Sequence, residues 1–440
     1  MIEFDNIIIG AGPGGYELAA RLAARGESTA VVERSYPGGT CLNRGCIPTK
    51  CLCAAASALL SLKHLPQMGV STDFRGFDYT VAAARKDAVV EQLRGAVLAT
   101  LKDCTLIQGT ARLFPERVVE VAGELYHAAR RLIIATGSEP AVLPVEGADL
   151  ALSSDEALAL TELPESIIII GGGVIGMEFA SMYNAMGVDV TVVEYCPEIL
   201  PPFDADIAKR LRTALTRRGI NIIVNARVES ISRKDNNMLS VHYSGKRGPA
   251  VAEATTVLMA VGRKPIVPEG CAEAGIELTG RGFIAVDSLM RTSAEGVYAI
   301  GDVNGLSMLA HSAIAQGRVV ENNEASLFRK DAVPSVVFTS PEVAQTGPTA
   351  TALAAEGIAC KAIRRTYGSV GKALADGYEG TVKILVSDDD EMRILGISIL
   401  GPHAADLIAE ATVLVTDAVP LDKVASRYIH AHPTLSEIFC

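Results

Sequence analysis

Two stretches of the chain share one order of apolar, glycine-rich and helix-forming segments. An apolar run at residues 7–9 leads into G-x-G-x-x-G at residues 10–15, and a run at residues 167–170 leads into the same pattern at residues 171–176. In both stretches a helix-forming segment follows, and then a second apolar run that ends in glutamate. This order predicts a strand, a tight turn, a helix and a second buried strand, twice in one chain.

The two stretches are an internal repeat at an offset of 161 residues, so that Gly26 maps onto Gly187 and Glu33 onto Glu194. The first glycine of each turn permits the bend, the second lets a pyrophosphate approach, and the third lets the helix pack against the strand. The helix N-terminus offers N–H groups to the phosphates, and the glutamate can bind ribose hydroxyls. We therefore expect two dinucleotide sites, with FAD at the first and a nicotinamide nucleotide at the second.

The residues after the second repeat indicate which nicotinamide nucleotide binds. The segment at residues 194–198 reads EYCPE, with two carboxylates and no lysine or arginine. A 2′-phosphate would meet like charge there, whereas the free ribose hydroxyls would find an acceptor in Glu194. The sequence therefore predicts NAD(H) rather than NADP(H).

The rest of the chain predicts further strands and a separate C-terminal region. Strands are expected at residues 258–263 and 297–302, and the composition changes near residues 330–334 to strand-like runs. A C-terminal α+β domain without a nucleotide signature follows. The expected division is an FAD-binding domain in two parts (1–145 and 266–330), an NAD-binding domain (146–265) and an interface domain (331–440).

Composition excludes several classes of protein. The chain has 440 residues, 49% of them hydrophobic, enough for two or three domains with their own cores. Its formal charge of −11 disfavours nucleic acid and anionic membranes as partners, and the apolar run at residues 167–175 is too short to span a bilayer. The nine cysteines show no disulfide-scaffold rhythm, and residues 1–20 show no leader pattern. We expect a reducing, cytoplasmic compartment.

Cys41 and Cys46 are the candidate reactive groups. They lie in the run GGTCLNRGCIPTK, just after the first repeat, where a dithiol beside a flavin could pass two electrons as a disulfide/dithiol couple. Two other interpretations fit the spacing: half of a metal site, or two unrelated buried thiols. No second Cys/His pair with ligand spacing lies nearby. A helix starting near Cys46 would direct its positive dipole end at a thiol and lower the thiol pKa.

Nine segments occur in an order that carries a family resemblance. They are the glycine turn at 10–15, GTCLNRGCIPTK at 39–50, ATGS at 135–138, GGGVIGMEFA at 171–180, VGRKP at 261–265, VYAIGDV at 297–303, MLAH at 308–311, FTSPEVAQTG at 338–347 and HAHPTLSE at 430–437. With them the chain resembles the pyridine nucleotide–disulfide oxidoreductases, the group that includes glutathione reductase, mercuric reductase and dihydrolipoamide dehydrogenase. The resemblance covers nearly the whole chain, and MLAH, Glu194 and HAHPTLSE are most similar to the dihydrolipoamide dehydrogenase branch.

The resemblance implies the fold and the catalytic roles. The fold is α/β, with two Rossmann-like FAD and NAD domains of the glutathione-reductase type and a C-terminal α+β dimerisation domain. Cys41 would be the interchange thiol, which attacks substrate sulfur, and Cys46 the thiol beside the flavin. His432 would be the acid/base, oriented by Glu437 and serving the cysteines of the other subunit of a homodimer. His430 is expected to be structural.

The resemblance also implies the cofactor-binding residues. Lys50 and Glu178 would form an ion pair beside the flavin and count among both the catalytic and the cofactor-binding residues. No metal ligand is expected. The remaining residues of the first site are Gly10, Gly12, Pro13, Gly14, Gly15, Glu33, Gly39, Thr40, Ala111, Thr136, Gly137, Ser138, Asp302, Met308, Leu309 and Ala310. Those of the second site are Gly171, Gly173, Val174, Ile175, Gly176, Glu194, Val228 and Gly262.

The function implied is that of an FAD-dependent enzyme that oxidises dihydrolipoyl groups with NAD⁺ through a Cys41–Cys46 disulfide. Its partners would be lipoyl domains of a 2-oxo acid dehydrogenase complex or a glycine-cleavage carrier protein, with neither nucleic acid nor membrane involved. Two alternatives stay open: another disulfide or metal reductase of the same family, and a docking subunit of a multienzyme complex.

Overall fold

The computed structural model describes residues 1–440. The strands are β1 (Ile2–Ile9), β2 (Thr29–Glu33), β3 (Thr105–Gln108), β4 (Ala111–Phe114), β5 (Val118–Val121), β6 (Glu124–Ile134), β7 (Ser138–Pro140), β8 (Ser166–Ile170), β9 (Asp189–Val193), β10 (Asn221–Ile223), β11 (Arg227–Arg233), β12 (Leu239–Gly245), β13 (Gly248–Ala254), β14 (Thr256–Met259), β15 (Arg263–Pro265), β16 (Val297–Ala299), β17 (Ser335–Val337), β18 (Val343–Thr346), β19 (Cys360–Thr366), β20 (Thr381–Ser387) and β21 (Ile394–Leu400). The helices are α1 (Pro13–Ala24), α2 (Gly39–Arg44), α3 (Cys46–Ser61), α4 (Tyr79–Thr100), α5 (Ser154–Leu158), α6 (Val174–Ala185), α7 (Ala205–Arg217), α8 (Ala310–Asn322), α9 (Ala350–Ala355), α10 (Gly371–Asp376), α11 (Ala404–Thr416) and α12 (Val424–Arg427).

The chain divides into two compact units. The first comprises residues 1–51, 83–141 and 263–330, and the second comprises residues 52–82, 142–262 and 331–440. These units group the polypeptide differently from the four-part division expected from the sequence. That division stays a prediction.

The first unit is built on a seven-stranded sheet in the order β3-β2-β1-β6-β5-β4, with β16 also paired to β6. Five strands of this sheet run parallel to one another: β3, β2, β1, β6 and β16. Strand β5 pairs antiparallel with β6 on one side and with β4 on the other. Ile7 and Ile8 of β1 are fully buried, in two clusters of the core. A parallel strand covered on both faces needs such an unbroken apolar run, and this is why residues 7–9 show no alternation.

The second unit contains the other repeat. One sheet is formed by parallel strands in the order β10-β9-β8-β14. A separate antiparallel sheet is formed by β11, β12 and β13, which lie between β10 and β14 in the sequence. Ile168 and Ile169 of β8 are fully buried, like their counterparts in β1. The predicted strand–turn–helix–strand order is therefore present in both repeats.

The C-terminal part of the second unit is an antiparallel sheet in the order β17-β18-β21-β20-β19. Helix α11 packs its apolar side on this sheet, with Ala411 and Leu414 buried in the same cluster as Ile384 and Ile397. The final turn, Leu435–Phe439, inserts Phe439 into that cluster. The predicted α+β character of this region is confirmed. No helix of the protein combines the length and the apolar character that a membrane crossing requires.

Candidate active site

The first glycine turn is shaped by two close approaches. Gly10 has φ +107°, and a Cβ there would lie 2.3 Å from the carbonyl oxygen of Ala135. A Cβ on Gly15 would lie 2.0 Å from the carbonyl oxygen of Gly10. A Cβ on Gly12 would meet nothing within 4 Å, and helix α1 begins after Gly12 without a side-chain cap. The turn therefore leaves uncapped helix N–H groups beside open space, which suits a phosphate group.

The second turn repeats this geometry. Gly171 has φ +108° and would place a Cβ 2.4 Å from the carbonyl oxygen of Ala260, and Gly176 would place one 2.0 Å from the carbonyl oxygen of Gly171. The space at Gly173 is open, and α6 begins at Val174 without a side-chain cap. Both turns thus fit the pyrophosphate of a dinucleotide.

Glu33, the last residue of β2, and Glu194, which directly follows β9, are also equivalent. Glu33 accepts hydrogen bonds from the N–H groups of Ala11 (2.9 Å) and Ser35 (2.8 Å). Glu194 accepts them from Gly172 and from Cys196 (2.5 Å). Each buried carboxylate thus ties the end of the second strand to the glycine turn, one oxygen on each side. A carboxylate oxygen has further acceptor capacity for a ribose hydroxyl.

Helix α2, which carries Cys41, begins against the first glycine turn. Gly39 opens the helix with φ +60°, and a Cβ on it would lie 2.7 Å from the Cα of Gly12. The N–H of Gly38 donates to the carbonyl oxygen of Ala11 (2.7 Å). Only glycine fits such an approach of backbone to backbone. The fold therefore fixes the start of the Cys41 helix next to the phosphate-binding turn.

The two thiols of the pair are in contact. Cys41 is half-buried, Cys46 is exposed as the first residue of α3, and all nine cysteines of the chain are present without disulfides. The hydrogen bond with the side chain of Cys46, followed by burial, raises the pKa of Cys41, whereas Lys50 acts in the opposite direction. The expectation that the start of α3 lowers the pKa of a nearby thiol is not met at Cys41, where the neighbouring sulfur and burial outweigh the helix end.

A chain of polar groups surrounds the expected flavin-contact residue Asp302. The Ser138 hydroxyl donates to Asp302 Oδ2 (2.5 Å), and Arg263 Nε donates to the Ser138 oxygen (2.7 Å). Burial raises the pKa of Asp302, and the Ser138 bond and the Arg263 charge partly oppose it. Thr136 donates to the carbonyl oxygen of Ile266 (2.5 Å), and Gly137 has φ +72°.

The other predicted FAD-site residues occupy defined positions in the first unit. Leu309 precedes α8, which starts at Ala310 without a side-chain cap, and Met308 is exposed before it. Ala111 is buried in β4, and a Cβ on Gly14 would lie 3.0 Å from Ala313 of α8. Pro13 is the first residue of α1, and Thr40 follows Gly39 in α2. Their contacts with FAD stay predictions.

In the second unit, some of the predicted cofactor-binding residues lie at the glycine turn and others lie in the core. Glu178 is buried in α6 and accepts a hydrogen bond from the N–H of Phe338 (2.9 Å). Val228 packs into the core beside Ile168, and Gly262 has φ +110° with open space around it. Val174 and Ile175 form the first turn of α6. Lys50 belongs to the first unit, so its pairing with Glu178 stays a prediction.

His432 and Glu437 form the predicted acid/base pair. His432 Nδ1 lies 2.8 Å from Glu437 Oε1, and the His432 side chain is 79% exposed. A carboxylate can only accept, so Nδ1 carries the proton and Nε2 is the nitrogen left for proton transfer. The bond with His432, and after it the N–H of Thr434, lowers the pKa of Glu437. This arrangement can take up and release a proton at Nε2.

Sequence reasoning missed two groups that organise these sites, Asn43 with its partner Arg94, and Arg263, and it left the partners of His430 unnamed. Asn43, between the cysteines, donates to the carbonyl oxygen of Gly39 (2.9 Å), and Arg94 of α4 donates to Asn43 (3.1 Å). Arg263 holds Ser138, as described above. His430 contacts both Glu410 and Cys440. The position of Asn43 inside the cysteine motif could have indicated a role for it. Nothing in the neighbouring sequence indicates that Arg94, Arg263 or Glu410 contacts these sites.

Two family models together cover nearly the whole chain. Residues 4–317 match the model described as pyridine nucleotide-disulphide oxidoreductase, and residues 333–440 match its dimerisation domain. The chain belongs to this family. The predicted fold class is thereby confirmed, as is the prediction of an oxidoreductase that uses FAD and NAD.

Curated relatives align over nearly the full length. A dihydrolipoyl dehydrogenase of Chlamydia muridarum is 38% identical, with 99% of this chain and 95% of the relative aligned. A dihydrolipoyl dehydrogenase of Thermus scotoductus is 39% identical over 99% of this chain and 96% of that protein. Among solved structures, the HOCl-induced flavoprotein disulfide reductase RclA from Escherichia coli matches with a TM-score of 0.87 at 30% identity, covering 99% of this chain and 98% of its own.

Proposed function

We propose that the protein is an FAD-dependent dihydrolipoamide dehydrogenase, which oxidises dihydrolipoyl groups with NAD⁺. The observation that carries the proposal is the contact between Gly39 and Gly12, which fixes the Cys41 helix against the uncapped phosphate turn. Full-length relatives with this name support the choice of substrate.

The protein's own groups account for the thiol chemistry. Starting from a Cys41–Cys46 disulfide, one sulfur of the dihydrolipoyl group attacks Cys41, and Cys46 leaves as a thiolate. The second substrate sulfur then attacks the first, which releases the lipoyl disulfide and returns Cys41 as a thiolate. Two electrons have passed from substrate to the dithiol, and two protons must leave the substrate thiols.

A base near neutral pKa is needed for those protons. In the proposed homodimer, His432 of the partner subunit takes a proton at Nε2 while the carboxylate at its other nitrogen holds the imidazole orientation. The match of residues 333–440 to a dimerisation domain supports this arrangement. The Gly10–Gly15 turn and Asp302 would hold FAD, and a bound flavin would supply the two-electron chemistry that links the dithiol to NAD⁺.

The residues present fit both cofactors. The Gly10–Gly15 turn, Glu33, Ser138, Asp302 and the start of α8 would hold FAD, and the second glycine turn with Glu194 would hold NAD. We further propose lipoyl domains of a 2-oxo acid dehydrogenase complex or of a glycine-cleavage carrier as partners, and a cytoplasmic location.

Another disulfide or metal reductase of the family is the second candidate, because RclA, a flavoprotein disulfide reductase, matches over the whole chain. Steady-state turnover separates the two. We expect rapid reduction of NAD⁺ by free dihydrolipoamide, with little activity towards NADP⁺, glutathione disulfide or Hg²⁺. Turnover of glutathione disulfide or Hg²⁺ that exceeds dihydrolipoamide oxidation would contradict the proposal.

A further inference from the structure

The two ends of the segment at residues 430–440 are joined through side chains. Cys440 Sγ lies 3.0 Å from Nδ1 of His430. The other ring nitrogen of His430, Nε2, lies 2.6 Å from Oε1 of Glu410 in α11. The segment that carries His432 is therefore closed at its base by a chain from a helix carboxylate, through an imidazole, to a thiol.

The base of the segment is also anchored in the protein core. Ile438 and Phe439 are buried, and Arg365 of β19 donates to the carbonyl oxygen of Ile438 (2.8 Å). His430 has a side-chain exposure of only 9%, against 79% for His432. The segment thus combines a fixed base with an exposed tip, and His430 lies at the junction.

The directions of the two hydrogen bonds that link Glu410, His430 and Cys440 follow from the chemistry of Glu410 and Cys440. Glu410 as a carboxylate can only accept a hydrogen bond, so Nε2 of His430 carries a proton. Nδ1 of His430 then accepts a hydrogen bond from the Cys440 thiol. Burial, and then the charge of Glu410, raise the pKa of Cys440, with Arg365 opposing them and Glu437 adding to them. Cys440 therefore stays a thiol donor.

The chain is electrostatically linked to the acid/base pair. The pKa of Glu437 is lowered first by its bond with His432, and a second proton on His430 would lower it further. The titratable groups in hydrogen-bonding contact with His430 are Glu410 on α11 and Cys440 on its own segment, and the charge of a protonated His430 acts on Glu437 of that segment. A change at Glu410 or Cys440 can therefore reach His432 through backbone position and through charge.

We propose that Glu410, His430 and Cys440 are positioning residues that hold His432 in the orientation needed for proton transfer. The inference rests on the proposed function. It assigns to His430, Glu410 and the last thiol of the chain a shared role: none touches the substrate, and all three act through the loop that bears His432.

The test uses paired variants of the purified holoenzyme. Glu410→Ala and Cys440→Ala remove links of the chain, whereas Glu410→Gln and Cys440→Ser keep an acceptor and a donor. Glu3→Ala is the matched control, because it breaks another His–Glu pair, His127–Glu3, in the first unit. The first readout is kcat for dihydrolipoamide oxidation beside NADH:ferricyanide activity, which does not need His432.

We expect Glu410→Ala to lower kcat for dihydrolipoamide by about ten- to a hundredfold, as a shift of about 1 Å in a reacting group can do. Ferricyanide activity and the KM for NAD⁺ should be unchanged, and Glu410→Gln and Cys440→Ser should restore most of kcat. Alanine variants with kcat equal to that of Glu3→Ala would overturn the inference. A parallel loss of both activities would also overturn it, because it would show general damage to the fold.

A second readout does not depend on the proposed function. The rate at which diethyl pyrocarbonate modifies His432, followed by mass spectrometry across pH, reports the access and protonation of that imidazole. The alanine variants should change this rate or its pH midpoint, and Glu3→Ala should not. If the wild type does not oxidise dihydrolipoamide, the proposed function fails, and this comparison alone decides the inference: identical profiles in all variants would reject it.

Discussion

Gly39 and Gly12 lie so close together that a Cβ on Gly39 would be 2.7 Å from the Cα of Gly12. Gly39 begins the helix of Cys41, and Gly12 precedes the helix expected to bind the FAD pyrophosphate. This contact explains why the dithiol motif has glycine at residue 39. It links the redox thiols to the cofactor turn without any side-chain interaction.

Gly39→Ala should therefore weaken FAD binding and destabilise the protein. The new Cβ would clash with backbone, and φ +60° is unfavourable for alanine. We expect a loss of about 1–3 kcal/mol in unfolding free energy and a lower flavin content, measured by urea unfolding and by absorbance.

Gly95→Ala is the control for that variant, because Gly95 lies within α4 and has open space around it. It should be neutral or stabilising by up to about 1 kcal/mol. Full flavin content together with wild-type stability in Gly39→Ala would show that the contact does not matter.

Replacing the two equivalent carboxylates, Glu33 and Glu194, should weaken the binding of two different cofactors. Glu33→Gln and Glu194→Gln each set a side-chain amide NH₂ against a backbone N–H donor, or leave one N–H without an acceptor. Glu33→Gln should reduce FAD content. Glu194→Gln should keep FAD, raise the KM for NAD⁺ and narrow the preference for NAD⁺ over NADP⁺. If both variants lost the same cofactor, the assignment of two sites would be wrong.

The lowered pKa of Glu437 predicts a pH dependence with a defined sign. A carboxylate whose pKa is lower in the folded state than its ordinary value of 4.5 stabilises the protein above that value, and the effect is lost as the pH falls through the folded-state pKa. The difference in unfolding free energy between wild type and Glu437→Gln should therefore shrink as the pH falls from the ordinary Glu pKa of 4.5 through the folded-state pKa of Glu437.

Urea titrations over a pH series measure that difference. A gap that widens as the pH falls below the ordinary pKa would contradict the prediction. Glu437→Gln should also lower dihydrolipoamide turnover while NADH:ferricyanide activity is retained, because the carboxylate acts through His432, whose proton transfer the ferricyanide reaction does not need.

Local patterns in the sequence predict much of the fold and of the site. The glycine turns, Glu33 and Glu194 are readable because each acts on residues within its own repeat, and the apolar runs mark the buried strands. HAHPTLSE likewise contains both members of the His432–Glu437 pair, which the structure brings to hydrogen-bonding distance.

Interactions between residues far apart in the chain cannot be predicted from such local patterns. Arg263 contacts Ser138, and Glu410 contacts His430, across separations that no motif spans. The raised pKa of Cys41 is likewise not visible in the sequence, because it depends on the Cys46 sulfur and on burial. These are properties of packing, whereas the helix dipole that suggested the opposite direction is a property of the local sequence.

In the proposed homodimer, each active site combines Cys41 and Cys46 of one subunit with His432 of the partner subunit. Cys41→Ser should abolish dihydrolipoamide oxidation, and His432→Gln should reduce it by about 10²–10⁴-fold. A hybrid dimer with one subunit of each kind has one site with both defects and one site with neither.

The most direct test is the activity of such hybrids, formed by subunit exchange between two differently tagged parents and purified by both tags. We expect the hybrid to recover about half of wild-type turnover, since one of the two equal sites of a two-fold dimer is intact. A verified hybrid that is as inactive as its parents, or a wild-type monomer with full activity, would contradict it.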